Sequence, residues 1–447
     1  MKSYFDLGIR VGHLITMAGG EADPVKDQFI GVKDGTIEFI GPFAQSLKKR
    51  SRKYLDSRAD VVLPGFVNGH THLPMTLFRG VEDDVPFHVW LFERILPLET
   101  ALVTEEFVRV GASLAALECI RFGVTTVNEM YFYAEASAKV LDKAGMRGLV
   151  SQAFADFPLP EDKVLGTDKE KIFRSLYSKF KKHKRIVPAL GPHAPYSCSD
   201  ALLKQVAAIS EELAAPVHIH VSETEREVEE SRKLHGKSPV GRLQSLGFLS
   251  SRTICAHCVH LDEADSKIFK DSGASAVYNP DSNMKLSSGA TPVKRYLASG
   301  IPVALGTDGA ASNNDLSMFG VMDIGTKLQK LANKDSTAMT AKQALSLATY
   351  GGAHALGLGD KIGSLEVGKR ADFISVSFDY PHMQPIHDVV SQLVYAAQGL
   401  EVRHVVCDGK VLLENGRYRT LNQAQIMNDV ERIRRKIQKT LAELRSK

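Results

Sequence analysis

Two histidines separated by one residue are the feature of this sequence that most directly suggests chemistry. Residues 64–80 read PGFVNGHTHLPMTLFRG, and His70 and His72 follow an apolar stretch typical of a buried strand. Side chains at i and i+2 share a face of a strand, so both imidazoles point the same way. Neutral imidazole nitrogens are good ligands for zinc and similar divalent ions. The pair suggests a metal chelate, although two hydrogen-bonded histidines at a strand end would give the same pattern.

Four further apolar segments end in residues that suit a metal site. They are VHIH with His218 and His220, followed three residues later by Glu223; ICAH, ending at His257; LGPH, ending at His193; and ALGTD, ending at Asp308. A single histidine at a strand end is ordinarily a hydrogen-bonded core residue. Together with the His70/His72 pair, however, imidazoles and a carboxylate make a sensible site for a divalent ion that activates water.

The elements that must position these residues alternate regularly. Between about residues 62 and 310, short strand-like runs are each followed by a longer helical pattern. This order is typical of a (β/α)8 barrel, in which active groups lie at the carboxyl ends of the strands. The sequence therefore predicts a TIM-like barrel over residues 63–365.

The segments on either side of the predicted barrel have a different pattern of elements. Residues 1–62 and 366–447 contain short strands separated by turn signals, which predicts a small β-sandwich domain built from both ends of the chain. Residues 421–447 carry apolar residues at helical spacing among charged ones, so we expect a packed surface helix there.

Composition narrows the classes of function. The net charge is +4 without a basic stripe, so we expect no nucleic-acid partner. No apolar run approaches the ~20 residues of a membrane span, and the N-terminus lacks the apolar core of a signal peptide. Five cysteines favour a reducing compartment, and we expect a cytoplasmic protein. Cys255 and Cys258 form a CxxC pattern, but strand alternation places Cys255 with His257 on one face and Cys258 on the other.

A series of motifs extends along nearly the whole chain. They are HTHLPMTLFRG (70–80), LPLE (96–99), GPHAPYSCS (191–199), HIHVSETERE (218–227), AHCVHL (256–261), NPDSNMKLSSGATPV (279–293), GTDGAASNNDLSMF (306–319) and GSLEVGKRADF (363–373). In type and order these motifs resemble the amidohydrolase superfamily, and more narrowly its branch of 5′-methylthioadenosine/S-adenosylhomocysteine deaminases.

The resemblance implies four metal ligands: His70, His72, His220 and Asp308. His218 shares a face with His220 and is the alternative at that position. No lysine ends the strand at 185–192, so one divalent ion is expected rather than two. Zinc is the first choice, with Fe²⁺ or Mn²⁺ as alternatives.

The resemblance also implies a reaction, the hydrolytic deamination of adenosine-type nucleosides by attack of metal-bound hydroxide at C6, giving the inosine analogue and ammonia. Glu223 corresponds to the proton shuttle and contacts the substrate base. His257 corresponds to the histidine beside the water, and Asp308 accepts the water proton. General acid–base help of this kind contributes ~10² to 10⁴ in rate.

For substrate binding, the resemblance assigns Glu99 to the ribose hydroxyls and His193 to a substrate contact. An apolar pocket for an alkylthio group could be formed by Met75, Phe78, Phe87, Val89, Trp90 and Phe92, or these could be ordinary core residues. Relatives that accept S-adenosylhomocysteine are expected to present an arginine where this chain has Gln152. An amide cannot pair a carboxylate as a guanidinium does, which favours methylthioadenosine, adenosine or another 5′-modified adenosine. Lys163 could compensate.

Two other readings stay open at this stage. One is a deaminase or hydrolase of another amino-heterocycle, such as guanine, a pterin or an s-triazine, on the same metal site. Glu99 and His193 favour a nucleoside over a free base, because a base has no ribose to bind. The other is a non-catalytic scaffold with the same fold. We expect a small-molecule substrate and a homo-oligomer, a dimer or a tetramer.

Overall fold

The computed structural model describes residues 4–445, and in this part sixteen strands form two eight-stranded sheets. Numbered in chain order, the strands are β1 (Phe5–Ile15), β2 (Pro24–Lys33), β3 (Thr36–Pro42), β4 (Ser51–Pro64), β5 (Phe66–Thr71), β6 (Val124–Tyr131), β7 (Arg147–Phe154), β8 (Ile186–Pro192), β9 (Val217–Val221), β10 (Thr253–His257), β11 (Ser275–Tyr278), β12 (Val303–Leu305), β13 (Phe373–Ser377), β14 (Val402–Cys407), β15 (Lys410–Glu414) and β16 (Arg417–Tyr418).

Seventeen α-helices lie in the same described part of the chain. They are α1 (Gln45–Lys49), α2 (Leu96–Leu102), α3 (Glu105–Arg121), α4 (Ala134–Ala144), α5 (Asp162–Leu165), α6 (Lys169–Phe180), α7 (Asp200–Leu213), α8 (Glu225–His235), α9 (Pro239–Ser245), α10 (Glu263–Ser272), α11 (Pro280–Lys285), α12 (Val293–Ala298), α13 (Met318–Asn333), α14 (Ala341–Leu347), α15 (Tyr350–Ala355), α16 (Val389–Tyr395) and α17 (Gln423–Arg445). None of them is both long and apolar enough to cross a lipid bilayer.

Strands β5 to β12 form the predicted (β/α)8 barrel. Each strand pairs in parallel with the next one along the chain, and helices separate successive strands. Every residue of β6 and β7 is buried, since helices cover the outer face of the sheet while side chains fill its centre. The ring closes at its carboxyl end, where the Asp308 amide donates to the His70 carbonyl (2.9 Å) and the Asn68 side chain bonds to Thr307.

Polar caps start the helices immediately after the loops that carry the site. Thr104, Ser199, Thr224, Asp262 and Ser317 each accept a hydrogen bond from the backbone N–H three residues later. Such caps satisfy amide groups that would otherwise be unpaired at a helix N-terminus. They therefore fix where each loop ends and hold the loops close to the strand ends.

The second sheet joins both ends of the chain, as predicted, in one continuous mixed sheet of order β16-β15-β14-β13-β4-β1-β2-β3. Only β1 and β4 pair in parallel. Strand β4 runs to Pro64, and the first barrel strand begins two residues later. A buried ion pair between Arg147 and Asp372 (2.9 Å) fastens this sheet to the barrel.

A long excursion between β5 and α3 covers the barrel mouth. It contains a 3₁₀ turn (Leu73–Phe78), a π-helical turn (Val89–Ile95) and α2. The predicted C-terminal helix is α17, and its buried Ile433 and Ile437 belong to one hydrophobic cluster with residues of this excursion and of α3. The helix therefore supports the segment that covers the site.

Candidate functional site

Three imidazoles and a carboxylate converge at the carboxyl ends of the barrel strands. His72 Nε2 lies 3.2 Å from His220 Nε2, and Asp308 Oδ1 lies 3.2 Å from His70 Nε2 and 3.4 Å from His72 Nε2. The donor atoms of the three histidines are all within 4.8 Å of one another. These are the four residues that the sequence motifs single out as ligands.

Backbone carbonyls orient two of the imidazoles. The His72 Nδ1 contacts the Met130 carbonyl (2.5 Å), and the His220 Nδ1 contacts the His193 carbonyl (2.6 Å). Because a carbonyl only accepts, Nδ1 carries the proton in both rings and Nε2 keeps its lone pair for the centre of the group. The donor set thus has the orientation that a divalent ion requires.

Protonation states agree with this fit. Burial lowers the pKa of His70 to about 3, and it also lowers the pKa values of His72 and His220. Burial raises the pKa of Asp308, but the close approach of His70, whose Nε2 lies 3.2 Å from Asp308 Oδ1, outweighs that effect and holds the pKa well below its ordinary value. At neutral pH the set therefore consists of neutral imidazoles and a carboxylate. His70 Nε2 is buried and makes no hydrogen bond within residues 4–445, which suits a ligand atom.

Hydroxyl groups hold the carboxylate on its far side. Ser282 and Ser312 donate to Asp308 Oδ2 at 2.6 and 3.1 Å, which leaves Oδ1 facing the histidines. Asp308 has a left-handed backbone, with φ of +61°. That conformation is strained in a non-glycine residue, and such strain is concentrated at functional sites.

His257 reaches the site by the same kind of backbone distortion. Its φ is +70°, and its Nε2 lies 4.0 Å from Asp308 Oδ2. Its Nδ1 contacts Asn283 Oδ1 (2.8 Å), an acceptor that places the proton on Nδ1. Burial lowers the pKa of His257, but the charges of Glu223 and Asp308 outweigh burial and the net shift is upward. The ring therefore presents Nε2 towards the carboxylate beside the ligand atoms.

Glu223 lies near Nδ1 of His257, the ring nitrogen that does not face Asp308. Its Oε1 is 3.7 Å from His257 Nδ1, and burial raises the pKa of its carboxyl to about 7. Glu227 holds the preceding turn, since its carboxylate accepts from the backbone amides of Ser222 (2.9 Å) and Glu223 (2.8 Å). A carboxyl with this pKa can hold a proton at neutral pH and release it, which is what a general acid and base needs.

One cavity joins these groups. Its wall includes His72, His220, Glu223, His257 and Asp308, together with His193, Trp90 and Glu99. Glu99 is buried, accepts a hydrogen bond from the Tyr131 hydroxyl (2.7 Å), and has a pKa that burial raises to about 7. Burial lowers the pKa of His193 to about 4, and its Nδ1 bonds to Ser197 Oγ (2.9 Å). A mostly apolar wall with a few convergent polar groups suits a small-molecule ligand.

Residues 61–412 match the Amidohydrolase family model. The chain belongs to the amidohydrolase family. Membership and the histidine-rich donor set together imply a divalent metal ion at this site. The alternation of elements predicted a (β/α)8 barrel and the motifs predicted the family, and both predictions are confirmed.

Named relatives of this amidohydrolase are nucleoside deaminases. It is 43% identical over 410 residues to a 5-methylthioadenosine/S-adenosylhomocysteine deaminase of Syntrophobacter fumaroxidans, covering 91% of this chain and 93% of the relative. It is 41% identical over 378 residues to a 5′-deoxyadenosine deaminase of Methanothermobacter thermautotrophicus, covering 84% and 87%. A solved adenosine deaminase of Xanthomonas campestris with bound zinc superposes with a TM-score of 0.94 at 36% identity, covering 98% and 100%.

One expected substrate residue of the amidohydrolase lies elsewhere. Gln152 does not line the cavity, because its side chain points outwards from β7 and its amide donates to Glu161 and to the Ala153 carbonyl (3.2 Å). The neighbouring Ala153 faces the cavity instead. The expectation that Gln152 contacts the substrate is therefore wrong for this structure. Lys163 is exposed and also lies outside the cavity wall.

The expected apolar wall is only partly correct. Met75, Phe87 and Trp90 line the cavity. Phe78 packs against Phe107 in the core (ring centroids 4.9 Å apart), and Phe92 is 42% exposed at the surface. Further apolar residues of the cavity wall, whose position there the sequence analysis did not predict, include Leu91, Ile95, Leu96, Phe132, Phe154, Phe157, Leu159 and Leu286.

Sequence reasoning also missed the residues that orient the candidate site residues of this amidohydrolase. Glu227, Asn283 and Ser282 each hold a site residue through a hydrogen bond. A signal existed for Glu227, since Thr224-Glu-Arg-Glu227 follows the spacing of a capping box. The CxxC pair is a pair of buried free thiols, with Cys258 Sγ contacting the Cys255 carbonyl (3.4 Å).

Proposed function

We propose that this amidohydrolase removes the 6-amino group of adenosine-type nucleosides by metal-dependent hydrolysis. The observation that carries the proposal is the placement of Glu223, a proton-holding carboxyl, and Glu99, a buried carboxyl away from the donor set, on one cavity with the ligand histidines. The names of the relatives support the same class of substrate.

Zinc is the ion we infer, since imidazole nitrogen and carboxylate oxygen suit it, with Fe²⁺ or Mn²⁺ as alternatives. His70, His72, His220 and Asp308 would hold the divalent ion, which would supply an activated water at neutral pH. Glu223 then delivers a proton to ring nitrogen N1 as the water oxygen adds to C6. Asp308 takes up the proton released by the water, and His257 orients that water. Glu223, now a carboxylate, takes the remaining proton of the added oxygen and passes it to the amino group, and the C6–N6 bond breaks as the C6 carbonyl forms. Ammonia and the inosine analogue leave, and the proton held by Asp308 restores the acid form of Glu223.

Glu99 serves the ribose in this proposal. A buried carboxylate accepting from both ribose hydroxyls makes charge-assisted hydrogen bonds, each of about 1.5–3 kcal/mol. We expect Glu99→Gln to lower kcat/KM for 5′-methylthioadenosine roughly 10- to 100-fold, mainly through a higher KM. Steady-state kinetics with Glu93→Gln as control test this, because Glu93 is exposed on the same segment. An unchanged KM in Glu99→Gln would contradict the ribose role.

The cavity favours a short, apolar 5′ substituent. Within the described residues, its wall contains no lysine or arginine, and it has many apolar and aromatic side chains. An amino-acid carboxylate placed there would lose its hydration without gaining a cationic partner, which is unfavourable. The absence of a cationic side chain from the cavity wall therefore disfavours S-adenosylhomocysteine, whatever residue stands at position 152.

A substrate panel tests the proposed function. The zinc-loaded protein is incubated with 5′-methylthioadenosine, 5′-deoxyadenosine, adenosine, S-adenosylhomocysteine, guanine and an s-triazine while ammonia is measured. We expect the short-chain adenosines to exceed S-adenosylhomocysteine in kcat/KM by about tenfold or more, since an unpaired buried charge costs more than ~1.4 kcal/mol. Ala155→Arg, at a partly exposed cavity position, should narrow that ratio. Ammonia release from the free bases alone would refute the nucleoside proposal.

A further inference from the structure

His70 differs from the other two ligand histidines in what its second nitrogen contacts. His72 and His220 rest on backbone carbonyls, whereas His70 Nδ1 lies 2.8 Å from Nε2 of another imidazole, His218. The two rings are nearly perpendicular, with an interplanar angle of 88° and centroids 4.9 Å apart. A neutral side chain therefore lies behind His70, whereas a backbone carbonyl lies behind each of the other two ligand imidazoles.

We propose that His218 is a positioning residue that holds His70 in the tautomer needed for metal binding, a proposal that rests on the ligand assignment of the proposed function. When His70 offers Nε2 to an ion, its proton is on Nδ1. His218 Nε2 must then be the acceptor, and His218 carries its own proton on Nδ1. The hydrogen bond therefore fixes both the tautomer and the orientation of the His70 ring.

Among the described residues, His70 is the one hydrogen-bond partner of the His218 side chain. The residue is fully buried, and within residues 4–445 its Nδ1 has no hydrogen-bond partner. Its neighbours on the inner surface of the barrel include apolar residues such as Ile254, which pairs with it in register on β10. Burying an imidazole with a single hydrogen bond destabilises the fold relative to an apolar side chain in the same layer. The histidine is therefore explained by what that one hydrogen bond does for its partner. His70 is the group that gains from the imidazole.

The geometry also explains why His218 is not itself the ligand. His218 and His220 point to the same side of β9, as strand alternation requires. His218 lies one layer deeper in the barrel, and its Nε2 faces His70 Nδ1, while the His220 Nε2 faces His72 Nε2 (3.2 Å). The two histidines of VHIH thus have different tasks, since one contacts the ligand group directly and the other supports His70 from below.

Two substitutions separate this role from packing. His218→Leu removes the acceptor, whereas His218→Gln can keep one in its amide oxygen. We expect zinc affinity, measured by competition with a chelator, to fall about 10- to 100-fold in His218→Leu and to stay close to the parent value in His218→Gln. His404→Leu is the matched control, a buried histidine replaced in β14 of the other sheet.

The tautomer itself provides a readout independent of any variant. In the zinc-loaded parent protein, ¹⁵N NMR of the histidine side chains should show a protonated Nδ1 on His70. A deprotonated His70 Nδ1, zinc binding in His218→Leu as tight as in the parent, or His218→Gln as weak as His218→Leu would each overturn the proposal. If His218→Leu does not fold, the NMR measurement and His218→Gln decide. A parent protein that binds zinc but deaminates no nucleoside would refute the proposed function and leave this test intact.

Discussion

Glu223→Gln is expected to keep its metal and to lose turnover by about 10²- to 10⁴-fold, the usual contribution of a general acid–base group. The amide preserves the shape of the side chain, but it cannot give a proton to N1 or carry one to the departing amine. The position of Glu223, with Oε1 3.7 Å from His257 Nδ1, places it beside the ligand group without belonging to it. Metal content should therefore match the parent while kcat falls.

The measurements that check this are elemental analysis and steady-state kinetics on the same preparation. Glu225→Gln, an exposed glutamate two residues further along the chain, is the matched control and should behave as the parent. The parent's rate should also fall as pH rises above the pKa of Glu223, because only the protonated carboxyl can donate. Burial raises that pKa to about 7, and a bound cation would lower it. Near-normal kcat in Glu223→Gln would rule out the shuttle role.

The strand-like runs were sufficient to predict that the candidate ligands lie together, because strand ends in a parallel barrel meet at one edge. The choice of His220 over His218 came from the family resemblance. His70, His220 and Asp308 are far apart in the chain, but each follows a strand-like run, and the fold brings such ends together. Pattern and topology thus place these residues on the same edge without any knowledge of the loops.

Side-chain direction along the barrel strands was harder to predict. Every residue of β7 is buried, so burial and hydrophobicity cannot distinguish the face that meets the cavity from the face that meets the helices. The family resemblance assigned Gln152 to the cavity, but its side chain bonds to Glu161 on the other side of the sheet. The amide contributes to packing against the helix layer and not to substrate binding.

The direction of the His257 side chain also could not be predicted from strand alternation. Strand alternation puts it on the face of Cys255, and Cys255 packs outwards in the main hydrophobic cluster between barrel and helices. The left-handed φ of +70° at His257 breaks the alternation and turns its ring inwards. Tertiary contacts such as the Asn283 hydrogen bond stabilise this backbone, so local sequence carries no sign of it.

His70→Ala should empty the metal centre, the second large effect that the structure supports. It removes a ligand atom and leaves His72, His220 and Asp308, and loss of a direct ligand should exceed the 10- to 100-fold cost in affinity that is typical for an outer contact. Deaminase activity should fall together with zinc content, and added zinc should restore little of either. His183→Ala, which replaces a partly buried histidine in the loop before β8, should retain both.

Chelation of the parent protein separates loss of the ion from damage to the fold. Removing the metal should abolish deamination reversibly, with zinc, Fe²⁺ or Mn²⁺ compared for their ability to restore it.

Because an ion that binds only the folded state stabilises it, zinc at 100 times its dissociation constant should add about 2.7 kcal/mol to the free energy of unfolding of the parent. The same addition should leave His70→Ala nearly unchanged, since its affinity is too weak. Full zinc occupancy in His70→Ala would contradict the ligand assignment. It would then also contradict the proposed division of roles, in which His70 and His72 hold the ion, Glu223 transfers protons and His257 orients the water.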